Sequence, residues 1–217
     1  MIGLVRNEWK KVFLPVLLTT VLLAIAMGVL SCTIYQNYVL HYDLEAWEVG
    51  TELFSLLYPL FVVVPLCWNL YYERKNNFLL YVMPRVKIKK YLTAKWIAYA
   101  LGTLCIIVIP YILSAVFALY VKPPVVPFVE NPFSHIFENA FIKTPLLYAV
   151  ALSLWRGTVS LFVMTFGFIL ALYCKNIFVI LTGPFMYSIL ENFVLAILCL
   201  ERLRLVVAFD PTTVNPE

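Results

Sequence analysis

The chain has 217 residues, of which 63% are apolar and 13% charged, and its mean hydropathy is +0.91. Water-soluble domains run nearer half apolar and a quarter charged, so this composition excludes a soluble fold and points to an integral membrane protein. Basic residues at helix ends account for the net charge of +4, which leaves nothing to suggest a nucleic-acid partner.

The apolar runs are continuous rather than alternating, which selects transmembrane helices over a β-barrel. The expected fold class is an all-α polytopic membrane protein: one transmembrane domain over residues 1–217, five legible spans, and a cytoplasmic N-terminus. In residues 1–12, Ile2, Val5, Trp9 and Val12 recur at helical spacing, while Arg6, Asn7, Glu8, Lys10 and Lys11 take the other side. The pattern, with Val5, Trp9, Lys10 and Lys11 as its key residues, predicts an interfacial amphipathic helix lying on the cytoplasmic leaflet, with Trp9 at headgroup depth. The plainer reading is a frayed, positively charged lead-in.

Span 1 covers about 13–32. Ala24, Ile25 and Ala26 imitate a signal-peptide cleavage site, but the apolar run continues through Leu30. That is long enough to cross a core of about 30 Å, which favours an uncleaved span. The loop 33–52 carries Asp43, Glu45, Glu48 and Glu52 and no Lys or Arg. Span 2 covers about 53–72, with Pro59 and Pro65 inside it.

Residues 73–95, ERKNNFLLYVMPRVKIKKYLTAK, hold seven of the sixteen Lys and Arg residues. Short loops rich in Lys and Arg stay on the cytoplasmic side, so the contrast with 33–52 orients the chain. Span 3 covers about 96–121 and contains Pro110.

The segment 122–156 is then outside, with Pro123, Pro124 and Pro127 near its start. Within it Phe133, Ile136, Phe137, Ala140 and Phe141 trace a helical stripe at the outer interface. Residues 145–174 are thirty nearly continuous apolar positions, more than one upright crossing needs. A break near Arg156 and Gly157 resolves this: an outer half-helix, then span 4 over about 157–174. Lys175 and Asn176 form a tight turn, and span 5 covers about 177–200, interrupted at Gly183 and Pro184. The odd count of crossings leads to the expectation of a sixth span beyond this chain.

Two ionisable residues fall inside spans. At 1.5 Å per residue, Arg156 lies about 28 Å, and Glu191 about 22 Å, from the turn at Lys175. Both sit in the outer half of the membrane on adjacent antiparallel helices, so an ion pair is the expected arrangement. Two readings stand side by side: a pair lining a translocation path or gate, or a snorkelling arginine with a glutamate in a polar groove.

The five cysteines, Cys32, Cys67, Cys105, Cys174 and Cys199, are dispersed and read as small hydrophobes. Cys32 and Cys199 alone approach the outer surface closely enough for a disulfide to be considered. There is no GxxxxGK[ST], no HExxH and no GxSxG, and the two histidines, His41 and His135, lie on different outer loops. No catalytic set presents itself, so the chain is not expected to be an enzyme by itself.

In the basic segment Glu73, Arg74, the pair Leu79 and Leu80, the pair Pro84 and Arg85, Tyr91 and Lys95 resemble the region between spans 2 and 3 of type-2 ABC exporter permeases. Asn7, Glu8, Trp9, Lys10 and Lys11 are similar to that family's entry helix, and Trp155, Arg156 and Gly157 to its step into span 4. Asn76 and Asn77 stand where the family usually has Gly-Thr, and the family has six spans.

The resemblance implies a permease subunit that dimerises, with itself or a sister permease, in a plasma membrane of bacterial inner-membrane type. It also implies that the subunit docks two ATP-binding subunits. No cofactor is expected in this chain; ATP and Mg²⁺ would belong to the partner. A short helix at about 76–83 would enter a groove on the ATPase, with Phe78, Leu79 and Tyr81 as anchors, while Arg85 and its basic neighbours hold the segment near lipid headgroups. The competing reading makes 73–95 only a topogenic anchor.

Spans rich in Phe and Tyr suit an amphipathic or hydrophobic cargo (peptide, lipid or drug), and so a role in antimicrobial-peptide or drug resistance. A non-transporting assembly or sensor protein using the same loop is the alternative, and an ion-coupled carrier the second alternative.

Overall fold

Long apolar stretches with few internal breakers produce helices throughout. The computed structural model describes residues 1–38, 40–78, 82, 84, 86–125 and 138–213. Helix α1 is Ile2–Thr33, followed by a 3₁₀ turn at Ile34–Asn37. Then come α2, Glu45–Lys75, and α3, Ile88–Tyr120. The short α4, Glu138–Lys143, precedes α5, Pro145–Tyr173, and α6, Ile177–Ile197. A final short helix, α7, is Leu205–Phe209, between turns at Glu201–Leu203 and Pro211–Thr213. Five of these helices (α1, α2, α3, α5 and α6) are long and apolar enough to cross a membrane. No strand occurs among the described residues.

Helix α1 packs most extensively on α3; α3 packs on α5, and α2 touches all the others except α4. Along α2, Tyr58, Val62, Val63, Leu66, Cys67 and Leu70 are buried to 1% exposure or less, so this helix forms the spine of the core. Helix α6 lies at the periphery: it buries only Ile180, Pro184 and Ser188 and leaves Phe178, Leu190, Phe193 and Ile197 exposed. That is the surface expected of a helix facing lipid, where apolar side chains gain nothing by turning inward.

The buried face of α1 recurs as Glu8, Val12, Val16, Thr20, Leu23, Met27 and Ser31, one stripe at i+3 and i+4 spacing. Because the opposite face is equally apolar, hydrophobicity does not choose this stripe. Small and hydrogen-bonding residues do, as is usual where lipid competes with protein for apolar contact. Helix α3 answers with Ala94, Ala98, Gly102, Ala115 and Ala118. Some buried hydroxyls are satisfied one turn back: Thr20 Oγ1 donates to the Val16 carbonyl at 2.7 Å and Ser160 Oγ to the Arg156 carbonyl at 2.8 Å.

Several boundaries differ from those read in the sequence. The first twelve residues are not a separate helix: α1 runs unbroken from Ile2, and Glu8 and Val12 already face the bundle. The charge pattern of 1–12 therefore reflects a helix end docked on protein. Likewise α5 continues through Arg156 and Gly157 without a break, because Arg156 finds partners inside the bundle and need not escape to an interface.

Pro59, Pro65, Pro110 and Pro184 are all accommodated inside continuous helices, as neighbouring helices in a bundle permit. Helices α2 and α3 begin eight residues before spans 2 and 3 were expected, at Glu45 and Ile88. Of the expected outer stripe only Ala140 and Phe141 are described, on α4; Phe133, Ile136 and Phe137 lie outside the described residues. All five cysteines are free, including Cys32 and Cys199.

Of the seven glycines, Gly50 has the tightest surroundings: a β-carbon there would sit 2.6 Å from Ser31 Cα and 2.7 Å from Ser31 N. Backbone cannot yield as a flexible side chain does. Gly50→Ala should therefore cost about 1–3 kcal/mol and lower the unfolding temperature of detergent-solubilised protein. Gly3→Ala, with nothing within 4 Å of the added carbon, should leave it unchanged.

Candidate functional site

At the end of the bundle that carries the basic residues, four charges from three helices form one closed network. Lys95 of α3 has only 1% of its side chain exposed; it contacts Glu73 of α2 directly and lies 3.2 Å from Glu8 Oε2 of α1. Lys11 donates to Glu8 Oε1 at 2.6 Å and to Glu73 Oε1 at 3.1 Å. The Tyr91 hydroxyl donates to Glu73 Oε2 at 2.9 Å. Two cations against two carboxylates make the cluster neutral, which lets Lys95 and Glu8 stay ionised although buried, while Lys11 remains 38% exposed at its side chain. The rings of Tyr91 and Tyr99 lie 5.7 and 5.6 Å from Lys95 Nζ and add cation–π attraction.

Of the residues singled out in the sequence, Glu73, Lys95 and Lys11 thus meet. Trp9 and Val5 are half-buried beside them, and Lys10 is exposed. Phe78 presents its ring 5.1 Å from Lys11 Nζ, Pro84 is exposed in a turn, and Arg74 donates to the Cys174 carbonyl at the end of α5. Leu79, Leu80, Tyr81 and Arg85 lie outside the described residues. Glu8 was not anticipated as a site residue; an acid amid the basic residues before a span was the available signal.

A second cluster lies at the opposite end. Arg156 is wholly buried, and its Nη2 donates to Asp210 Oδ2 at 2.6 Å. The carboxylate facing Arg156 is thus Asp210, not Glu191 as expected. Both Glu191 oxygens instead accept the backbone N–H of Leu205, at 3.0 and 3.1 Å. Depth along the two helices was similar, but depth does not fix rotation about the helix axis.

The guanidinium is enclosed by Tyr111, Trp47 and Phe209, with ring centroids at 4.5, 4.9 and 5.9 Å. Trp47 is held by bonds from its indole N–H to the Tyr111 carbonyl and Ser114 Oγ, both 3.0 Å. Phe209 stacks on Tyr58 at 4.0 Å, and Trp155 Nε1 donates to the Ala208 carbonyl at 2.8 Å. Beside α7 a mostly apolar pocket of about 500 Å³ opens between Tyr148, Leu152, Trp155, Val207 and Ala208, with Arg202 also in its wall. The apolar run 205–209 ending in an acid was the signal for Asp210.

At that same end Lys122, 1% exposed at its side chain, donates to Asp43 Oδ1 at 2.7 Å, and the Val125 N–H donates to the same oxygen at 2.9 Å. Partial burial pushes the Asp43 carboxyl up, but the Lys122 ammonium and the Val125 N–H outweigh it and hold the carboxyl below its ordinary range. Among the described residues no three His, Cys, Asp or Glu side chains gather as metal ligands do. Comparison with protein-family models, curated proteins and solved structures gave no match.

Removing one partner of a buried pair strands the other, at a cost of about 3–5 kcal/mol. Asp210→Ala should therefore destabilise strongly, and the double variant Arg156→Met with Asp210→Ala should destabilise less than Asp210→Ala alone. Thermal unfolding of the three proteins checks this. For Asp43 the folded carboxyl titrates below its unfolded value of about 4, so the link stabilises above that pH and is lost as pH falls through the folded value. A stability–pH curve should show this acid-side loss, and Asp43→Asn should remove that component.

Proposed function

We propose that this chain is the membrane-spanning subunit of an ATP-driven exporter, and that a separate ATPase docks on the segment between α2 and α3. The observation that carries this reading is the network at the segment's two ends. Glu73 precedes the segment, Lys95 follows it, and the two meet each other and Glu8 and Lys11 of α1. A force applied between them is delivered to three helices at once, because desolvated ion pairs resist separation. In this reading the N-terminus and segment 73–95 face the cytoplasm of a bacterial-type plasma membrane. Two such subunits work with two ATPases, ATP and Mg²⁺ are held by the partner, and 76–83 enters the ATPase groove.

The cargo enters as an amphipathic or hydrophobic molecule. The apolar pocket of about 500 Å³ beside α7 supports that choice, being of a size that suits a small ligand or part of a larger one.

Chain extracted from its native membrane in mild detergent should carry a nucleotide-hydrolysing subunit. Glu73→Gln and Lys95→Met should leave that subunit bound but reduce stimulated ATP hydrolysis on the order of tenfold, equivalent to about 1.4 kcal/mol. If no ATPase accompanies the wild-type chain, the exporter reading is wrong and a docking or sensor role takes its place.

A further inference from the structure

The network just described neutralises Lys11 and Lys95, but three other cations near the same end are treated differently. Arg74 and Lys75 close α2, and Lys175 stands in the turn between α5 and α6. Together with Tyr71 and Tyr173 they line a pocket of about 410 Å³. Among the described residues, no carboxylate lies within ion-pair distance of any of the three.

Arg74 spends one N–H on the Cys174 carbonyl, which ties α2 to the end of α5. Lys75 sits 5.9 Å from the centre of the Tyr71 ring. Half-buried Arg74 thus forms the floor of the pocket, and exposed Lys75 and Lys175 its rim.

Three uncompensated positive charges converging on one concavity, with no acid in its wall, attract an anion strongly. A guanidinium, two ammonium groups and two phenols match the oxygens of a phosphate. The surroundings say which kind. The pocket opens at the ends of helices long enough to span a membrane, and the neighbouring outward face shows Tyr173 and Phe178 at 81% and 72% exposure. An occupant with a phosphate head and an apolar body satisfies both surfaces; a soluble anion satisfies only the first.

We propose that this pocket binds the phosphate headgroup of an anionic phospholipid, whose chains lie along the outer face of the α5–α6 turn. Basic pockets between transmembrane helices are a known route to such recognition. The bound lipid joins α2 to the end of α5 and to the turn that leads into α6, beside the hydrogen bond from Arg74 to the Cys174 carbonyl. Occupancy therefore tightens the attachment of the peripheral helix α6. The inference needs only a membrane-spanning chain and does not rest on the exporter reading.

The test uses the full chain in detergent, titrated with phosphatidylglycerol or phosphatidylcholine, with retained lipid read by native mass spectrometry and stability by thermal unfolding. Phosphatidylglycerol should be retained roughly tenfold more tightly than phosphatidylcholine and should raise the unfolding temperature. Lys75→Gln with Lys175→Gln, which spares Arg74 and its helix tie, should abolish that preference, and Lys75→Arg with Lys175→Arg should restore it. Lys87→Gln with Lys89→Gln and Lys90→Gln removes more charge nearby and should leave the preference intact.

Equal loss in both glutamine variants would reduce the effect to general surface charge and overturn the proposal. Survival of the preference without Lys75 and Lys175 would overturn it as well. So would displacement of phosphatidylglycerol by millimolar inorganic phosphate, which would mark a free-anion site.

Discussion

A lysine with 1% of its side chain exposed must be matched by carboxylates, and the place where that happens governs this molecule. Lys95 brings α3 to Glu8 of α1 and Glu73 of α2, and Lys11 closes the ring. In water such pairs add little, because desolvation offsets attraction. Between membrane helices the comparison changes. Apolar side chains pack as well against lipid as against protein, so what selects one helix arrangement over another is the polar groups that have nowhere else to go. The rotation of α1, α2 and α3 about their axes is set where these charges meet.

Small residues then decide how closely the helices approach. Gly50 lies against the Ser31 backbone, and a β-carbon on Gly102 of α3 would sit 3.0 Å from Leu66 Cδ2 and 3.1 Å from Val16 Cγ2. The consequence is a graded bundle. The pairing of α1, α2 and α3 is dense and pinned by charge, α5 is held by the Arg156 cage, and α6 carries little buried surface. Stability in such a bundle is local, and the peripheral helix is the element whose attachment the surroundings can alter most.

The five spans were legible because runs of about twenty apolar residues have few alternative explanations. Glu73 and Lys95 were singled out only through the resemblance carried by the basic segment, and nothing in the sequence foretold that they would meet or that Glu8 would share the contact. What failed was everything that depends on azimuth or on distant pairing. The 145–174 run was divided at Arg156 because thirty apolar residues exceed one upright crossing, yet the helix continues through that arginine. Its partner is 54 residues away, just past the short helix that follows the last span. Glu191 lay at a compatible depth on a neighbouring helix, and its carboxylate is used by the Leu205 backbone instead. A hydrophobic pattern that is apolar all round carries no phase, so it locates a span along the membrane normal and leaves its rotation open.

The two charge clusters share α2 and α3 and differ in their other helices. The network at the basic end joins α1, α2 and α3, while the Arg156 cage joins α5 to α7 through Asp210 and reaches α2 and α3 by way of Trp47 and Tyr111. Along α2, between the clusters, the buried residues from Tyr58 to Leu70 form apolar packing rather than a relay of charges. In the proposed exporter, coupling between the ends would pass through tilting or sliding of whole helices, chiefly α2 and α3, which have a residue in each cluster. Packed interfaces of this kind shift between discrete arrangements rather than deforming continuously. A neutral, closed network suits that role, because it moves as a unit and leaves no bare charge behind in the membrane.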